Sequence, residues 1–348
     1  MTDSVHAADA CAPLALPTPY LLFLGDVQHR GYAKTAFGLR DWAGELCIGE
    51  FSLPDATVST GLPSLCLGEA YAQGARGFVI GVASQGGAIQ PNWVPTLIAA
   101  LEQGFDIVSG MHSNYRDIPE LADAVARTGR RVIEVRRPPV GLPTGTGAKR
   151  TGRRLLTVGT DCALGKKYTA LALTRAFRAR GVDADFRATG QTGIMIAGSG
   201  IPIDAVVSDF VAGAAELLSP DAAADHWDVI EGQGSLYHPA YAGVSLGLLH
   251  GSQPDVIVLC HEPGRKTIIG TTDFPIPPLT EAIALNVTLG ALTNSGIRCA
   301  GVSLNTGGLD DAEAAAAIAA AARETGLPAA DPVRGGPDFE RLVDACLA

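Results

Sequence analysis

Basic residues, aromatics and long apolar runs are all in short supply in this chain. Lys and Arg number 26 against 36 Asp and Glu, a formal net charge of −10. A phosphate backbone calls for a basic surface, so general nucleic-acid binding is excluded. No apolar run approaches the ~18 residues of a membrane span, which excludes a spanning helix. Residues 1–19 carry Asp3 and Asp9 and neither Lys nor Arg, so they do not read as a signal peptide. The seven cysteines (Cys11, Cys47, Cys66, Cys162, Cys260, Cys299 and Cys346) include no CxxC pair, which argues against disulfides and against zinc. What is plentiful is small and apolar: 47% of residues are hydrophobic and 42 are glycine, while only 18% are charged. Disorder is excluded by that balance, and 348 residues fill about two domains. The composition points to a soluble, cytoplasmic α/β protein.

Two α/β runs flank one breaker-rich stretch. In the first, strands are expected at Tyr20–Leu24, Gly77–Val82, Asp106–Ser109 and Arg131–Val135, with helices at Val94–Glu102 and Pro119–Arg127 and a turn at Ser84–Gly87. Strands alternating with helical patterns imply a parallel sheet covered by helices. Pro138 to Gly147 breaks the pattern with three prolines and three glycines. The expected division is a Rossmann-like domain over 1–137, a linker over 138–150 and a second α/β domain over 151–348. Arg130, Arg131, Arg136, Arg137, Lys149, Arg150, Arg153 and Arg154 bracket the linker with Glu134 as their one acid. They read either as a solvated surface or as a local positive field for an anionic ligand. The second run restarts with strands at Leu155–Val158, Ala184–Ala188, Ala205–Val207, Val229–Ile230, Val256–Leu259 and Gly301–Leu304. Helices are expected at Lys166–Arg180, Val211–Leu218, Val244–Leu249, Leu279–Leu292 and Ala312–Glu324.

The strongest local signal lies at the head of the second run. A strand enters the loop Gly159-Thr160-Asp161-Cys162-Ala163-Leu164-Gly165, followed by Lys166, Lys167 and Tyr168 at the start of an amphipathic helix. Loop N–H groups, the positive end of the helix and the Lys166 ammonium make such a joint a phosphate cradle. A nucleotide-hydrolysing loop follows Gly-Lys with Ser or Thr, whose hydroxyl ligates Mg²⁺. Here that position is Lys167. Two unit charges of one sign at 4 Å repel by roughly 4 kcal/mol at an effective dielectric of 20, and a divalent ion doubles this. The loop keeps its anion-binding half and loses its metal half, so a diphosphate-bearing coenzyme is expected and no metal. Downstream, Glu231-Gly232-Gln233-Gly234 ends an apolar strand, and His238 follows on the same loop. Imidazole and carboxylate together make Glu231 and His238 acid–base candidates. Thr189–Gly200 reads as a glycine-laden loop at a strand's carboxyl end, where open α/β sheets bind ligands. Asp209 reads as a helix cap or a site residue. Arg265 and Lys266, at the end of another strand, could clamp a carboxylate or form a surface salt bridge. Arg30, Lys34, His112 and Arg116 follow strands of the first domain and are further substrate-binding candidates.

The loop Gly-Thr-Asp-x-x-x-Gly-Lys and the strand ending Glu231-Gly232-Gln233-Gly234 resemble dethiobiotin synthetase and its relatives. With Thr189–Gly198, Asp204–Glu216 and Ser235–Pro239 added, the resemblance narrows. The chain is similar, along nearly its whole length, to a bacterial family once known only as a domain of unknown function, one branch of which comprises D-glutamate N-acetyltransferases. The resemblance implies a Rossmann-like domain followed by a P-loop domain like that of dethiobiotin synthetase. It also implies acetyl transfer from acetyl-CoA to the amino group of D-glutamate, and a functional link to an N-acetyl-amino-acid racemase. A homo-oligomer acting on small molecules is expected. The alternative is an ATP-dependent ligase or kinase of the dethiobiotin synthetase kind, which Lys167 disfavours. Coenzyme A carries phosphate handles for Gly159–Tyr168, and D-glutamate carries two carboxylates for Arg265 and for Arg30 or Arg116. The expected route is direct attack of the amine on acetyl-CoA, with Glu231 and His238 as the pair that removes its proton. The rival route passes the acetyl group through Cys162.

Overall fold

A computed structural model describes residues 14–82 and 85–348. The expectations for the first residues, including Cys11, and for Ser84 fall outside them. Two compact units divide the chain. The N-terminal unit runs to Pro138 and also takes Gln191–Pro202; the C-terminal unit comprises Pro139–Gly190 and Ile203–Ala348.

The first unit alternates β1 (Tyr20–Gly25), α1 (Lys34–Trp42), β2 (Cys47–Ser52), α2 (Leu67–Ala72), β3 (Gly77–Ile80), α3 (Val94–Gln103), β4 (Asp106–Ser109), α4 (Pro119–Thr128) and β5 (Val132–Glu134). Its five strands are parallel in the order β2-β1-β3-β4-β5. β1 is buried throughout, as a strand covered on both faces must be. Phe23 at its middle meets Phe78 at 5.2 Å and the edge of Trp93 at 5.7 Å. The expected strands and both expected helices form. Lys34, placed in a loop by its polar neighbours, instead opens α1.

The second unit holds β6 (Arg153–Gly159), α5 (Lys166–Ala179) and β7 (Ala184–Arg187). After α6 (Gln191–Ala197), which belongs to the N-terminal unit, it continues with α7 (Val211–Leu218), β8 (Trp227–Ile230), α8 (Ala242–Ser252), β9 (Val256–His261), α9 (Leu279–Gly290), β10 (Arg298–Leu304), α10 (Asp311–Thr325), β11 (Ala329–Ala330) and α11 (Gly336–Leu347). Six parallel strands lie in the order β11-β10-β9-β6-β8-β7. β6 is flanked by β8 and β9, so the loops leaving those three strands share one edge of the sheet.

Three expectations are corrected. Gln191–Ala197 is a helix rather than a loop, and its Thr192 hydroxyl lies 3.0 Å from that of Thr35 on α1. Ala205–Val207 is no strand: Ile203–Ala205 forms a 3-10 turn. Asp209 does not cap α7, whose N-cap is Phe210 without a side-chain bond. The basic stretch is also tied down rather than left as an open field. Arg131 bonds Asp106 at 2.8 Å, Lys149 bonds Asp255 at 3.0 Å, and Arg150 donates to the Gly251 carbonyl at 2.7 Å. Arg154 is wholly buried and donates to the carbonyls of Thr151 and Pro220, each at 2.9 Å. Residues Thr146 and Gly147, within the stretch read as a linker, donate their N–H groups to Glu216 at 2.8 Å.

Candidate active site

β6 delivers Gly159 beside Cys260 of β9, and the Thr160 N–H continues the ladder onto the Cys260 carbonyl at 3.1 Å. The Thr160 hydroxyl pairs with His261 Nδ1 at 3.0 Å. Asp161 comes next, with no exposed surface. Its Oδ1 accepts the Cys162 N–H at 2.6 Å, and its Oδ2 accepts Arg265 Nη1 and the Ile269 N–H, both at 2.8 Å. Arg265 Nη1 also donates to the Cys162 carbonyl at 2.7 Å, and its other arm pairs with Glu262. Arg265 therefore braces the loop, and the substrate clamp expected of it is corrected: two carboxylates and a carbonyl already hold its fork. Glu262 is a sequence neighbour, but Asp161 and the Cys162 carbonyl, which take the other arm, lie about a hundred residues away.

The loop then turns through Ala163, whose φ of +56° is a left-handed conformation that a non-glycine residue adopts at a cost. Gly165, at φ +101°, leads into α5. Lys166 points back under the loop, buried, with Nζ donating to the Asp161 carbonyl at 2.8 Å. Burial pulls its pKa down, and the neighbouring Cys162, Cys260 and Asp161 work against that. Lys167 stands half-buried on the first turn, its ammonium 5.2 Å from the Tyr168 ring.

β8 brings the second loop alongside. Gly232 N–H donates to Thr157 Oγ1 of β6 at 2.9 Å, and a Cβ at Gly232 would fall 1.6 Å from the Thr157 carbonyl oxygen. Only glycine allows the strands to approach here. Glu231 is buried, with Oε2 accepting the N–H groups of Thr189 at 3.0 Å and Gly190 at 3.1 Å. Burial raises its pKa, while Lys167 and those two N–H groups pull it back. Thr189 and Gly190 were expected to face a ligand; they serve instead as the donors that hold Glu231. Gln233 Nε2 fixes the Thr189 hydroxyl at 3.0 Å.

His238 is buried under the Tyr241 ring, with centroids 4.4 Å apart. Its Nδ1 accepts the Ala240 N–H at 3.1 Å and its Nε2 lies 3.2 Å from the Ile269 carbonyl, which fixes the proton on Nε2. Ile269 thus links the three loops: its N–H serves Asp161 and its carbonyl serves His238. Donor atoms of Asp161, Cys162 and His238 all lie within 4.8 Å of one another. A cation does not suit that trio, because both Asp161 oxygens are engaged by N–H donors and Arg265 stands beside them.

The remaining sequence candidates lie on the N-terminal unit. Arg30 is exposed with its guanidinium 3.9 Å from the Phe37 ring centre, and Arg116 is exposed at 4.6 Å from that of Tyr115. Lys34 and His112 are exposed as well. Among the described residues, no helix is long and apolar enough to cross a membrane.

Comparison with known proteins agrees with this architecture. Residues 142–343 match the family model described as the P-loop domain of DUF1611, a domain of unknown function, and residues 55–138 match the Rossmann-like domain DUF1611_N. The chain is 48% identical over 333 residues to a D-glutamate N-acetyltransferase of Tritonibacter scottomollicae, covering 96% of this chain and 99% of that one. It is 46% identical over 325 residues to a protein of the same name from Pseudoalteromonas sp, covering 93% and 98%. The crystal structure of a DUF1611 family protein from Anabaena variabilis ATCC 29413 superposes with a TM-score of 0.84 at 34% identity, over 94% of this chain and 98% of that one. The expected pairing of a Rossmann-like with a P-loop domain holds, and the chain belongs to the DUF1611 family.

Proposed function

We propose that this protein transfers the acetyl group of acetyl-CoA to the amino group of D-glutamate. The observation that carries the reading is the loop Gly159–Tyr168, a phosphate-loop frame with Lys167 in place of the metal-binding hydroxyl, in a chain closely similar to D-glutamate N-acetyltransferases. Acetyl transfer consumes no nucleotide and needs no Mg²⁺, so a ligase-type metal site has no task here. The loop, with Lys166 and Lys167, is the acetyl-CoA element. Glu231 and His238, carried against it, are the acid–base groups: an amino acid's ammonium must lose a proton before it attacks a thioester. Arg30 and Arg116 are proposed partners for the substrate's carboxylates, since a guanidinium resting on a ring keeps its N–H edge for a bidentate contact. The product would pass to an N-acetyl-amino-acid racemase. A cytoplasmic homo-oligomer fits the scattered thiols and the family resemblance.

The test is release of free thiol from acetyl-CoA by the purified protein, across a panel of D- and L-amino acids without nucleotide or metal. D-Glutamate should give the highest kcat/KM. A strict requirement for Mg-ATP, or no thiol release with any amino acid, would sink the reading.

A further inference from the structure

The phosphates and the thioester of acetyl-CoA sit at opposite ends of the pantetheine arm, so a single loop receives one end or the other. This inference rests on the acetyltransferase reading and asks which end meets Gly159–Lys167. The side chains at the lip of the loop match the thioester. Cys162 is half-buried there, with both of its backbone polar groups held: its N–H by Asp161 at 2.6 Å and its carbonyl by Arg265 at 2.7 Å. Ala163, the next residue, carries a left-handed φ of +56°. Strain of this kind persists where surrounding contacts over-determine it, and it gathers at reacting groups. Sγ, an imidazole nitrogen of His238 and a carboxylate oxygen of Asp161 lie within 4.8 Å of one another.

Charge points the same way. Lys166 and Arg265 flank Cys162 opposite the Asp161 carboxylate, and α5 begins four residues further on. The other described cysteines are placed differently. Burial pushes the thiols of Cys47 and Cys346 up to about 12 and that of Cys299 up to about 11. Cys260 is buried and raised as well, and Cys66 is engaged as the N-cap of α2. Beside the Cys162 cluster stand apolar groups that an arm of amides and methylenes could rest on. Tyr241 stacks on His238, and the Ile269 carbonyl receives its hydrogen bond; both side chains are exposed.

We propose that Cys162 is the acetyl carrier, with His238 as its proton partner and the loop's N–H groups as the cradle for the thioester oxygen. The Cys162 thiol gives its proton to His238, whose Nδ1 gives up the Ala240 N–H to accept it. The thiolate attacks the carbonyl carbon of acetyl-CoA. The bond from that carbon to the coenzyme's sulfur breaks, and the departing thiolate takes the proton back from His238. The neutral amine of D-glutamate then attacks acetyl-Cys162. The carbon–Sγ bond breaks, the amide forms, and the surplus proton on nitrogen restores the Cys162 thiol through His238. Direct attack on acetyl-CoA, the route expected from the sequence, gives way to this double displacement.

Intact-mass analysis and peptide mapping of the full-length protein mixed with acetyl-CoA alone should find one acetyl group on Cys162, discharged when D-glutamate is added. Initial-rate plots should run parallel. Cys162→Ala should fold with an unchanged melting temperature and lose roughly 10³-fold or more in kcat. Lys166→Ala should slow transfer from acetyl-CoA and from S-acetylpantetheine, which lacks the diphosphate, by the same factor. If wild-type protein turns over while Cys162 stays unlabelled, the lines intersect and Cys162→Ala keeps most of its rate, the carrier is overturned and the acetyltransferase reading stands. No thiol release from wild-type protein overturns both.

Discussion

Glu231 is a carboxyl pulled in two directions. Burial disfavours its charge, whereas Lys167 and the N–H groups of Thr189 and Gly190 favour it, and burial wins. A raised carboxyl pKa suits a base that must work near neutrality. The acid limb of kcat/KM should therefore lie above the ordinary carboxylate range, because falling pH protonates Glu231 as it passes the raised value. Glu231→Gln keeps an oxygen for the two N–H donors, so the fold should hold while kcat drops ~10²-fold or more and the acid limb vanishes. Glu231→Ala would instead strand the buried Thr189 N–H, at about 1–3 kcal/mol, and free the half-buried Gly190 N–H. A Glu231→Gln enzyme of full activity, or an acid limb at the ordinary carboxylate value, would dismiss the role. Lys167 was legible in the sequence because its meaning is local, a Lys where a metal-binding hydroxyl belongs. Arg265 was not, because its partner Asp161 is remote in sequence and no local pattern records the pair.

At the scale of elements, the start of β8 carries a device that titrates. His226 Nδ1 meets Asp183 at 2.8 Å, and its Nε2 meets Asp228 at 3.3 Å, with Asp185 further off at 4.0 Å. Arg187 on β7 faces the same group, bonding Asp228 at 2.5 Å. Burial pulls the imidazole pKa down, but the hydrogen bond to Asp183 and the charge of Asp228 outweigh it, and the value is raised. A histidine whose folded pKa exceeds its unfolded one adds stability that is complete below the unfolded value near 6.5 and fades as pH rises through the folded value. Urea midpoints measured at about pH 6 and about pH 8 should show wild-type protein losing stability relative to His226→Gln as pH rises. Parallel changes in the two proteins would refute the linkage. Elements with strong local signals were read from the sequence: α10 was read from its alanine-rich body, to which the structure adds a capping box of Asp310 and Glu313. α6, with a glycine inside it, has little propensity of its own and owes its helix to packing on α1, which no single-segment pattern reveals.

Across the whole molecule, the alternation of strands and helices announced two parallel sheets, but not that the chain would leave the C-terminal unit after Gly190 and return to it at Ile203. Periodicity identifies an apolar face and says nothing of which core receives it. The consequence is that the N-terminal unit is incomplete without a segment from beyond its own stretch of chain. Within α6, Ile194 and Met195 are essentially unexposed, and the helix packs on α1, whose Thr35, Ala36, Phe37 and Leu39 are buried. Full burial of each such apolar side chain contributes about 1.5–3 kcal/mol, a large share of a domain stability of about 5–15 kcal/mol. A fragment comprising residues 1–138 should therefore unfold at clearly lower urea, and with a broader transition, than the same fragment carrying residues 191–202 on a flexible linker. The difference expected is about 3 kcal/mol or more, less the modest entropy of closing the linker. Superimposable unfolding curves for the two fragments would show that α6 only decorates the unit; a cooperative transition that appears with the added segment would show that the domain is built from two separate pieces of the chain.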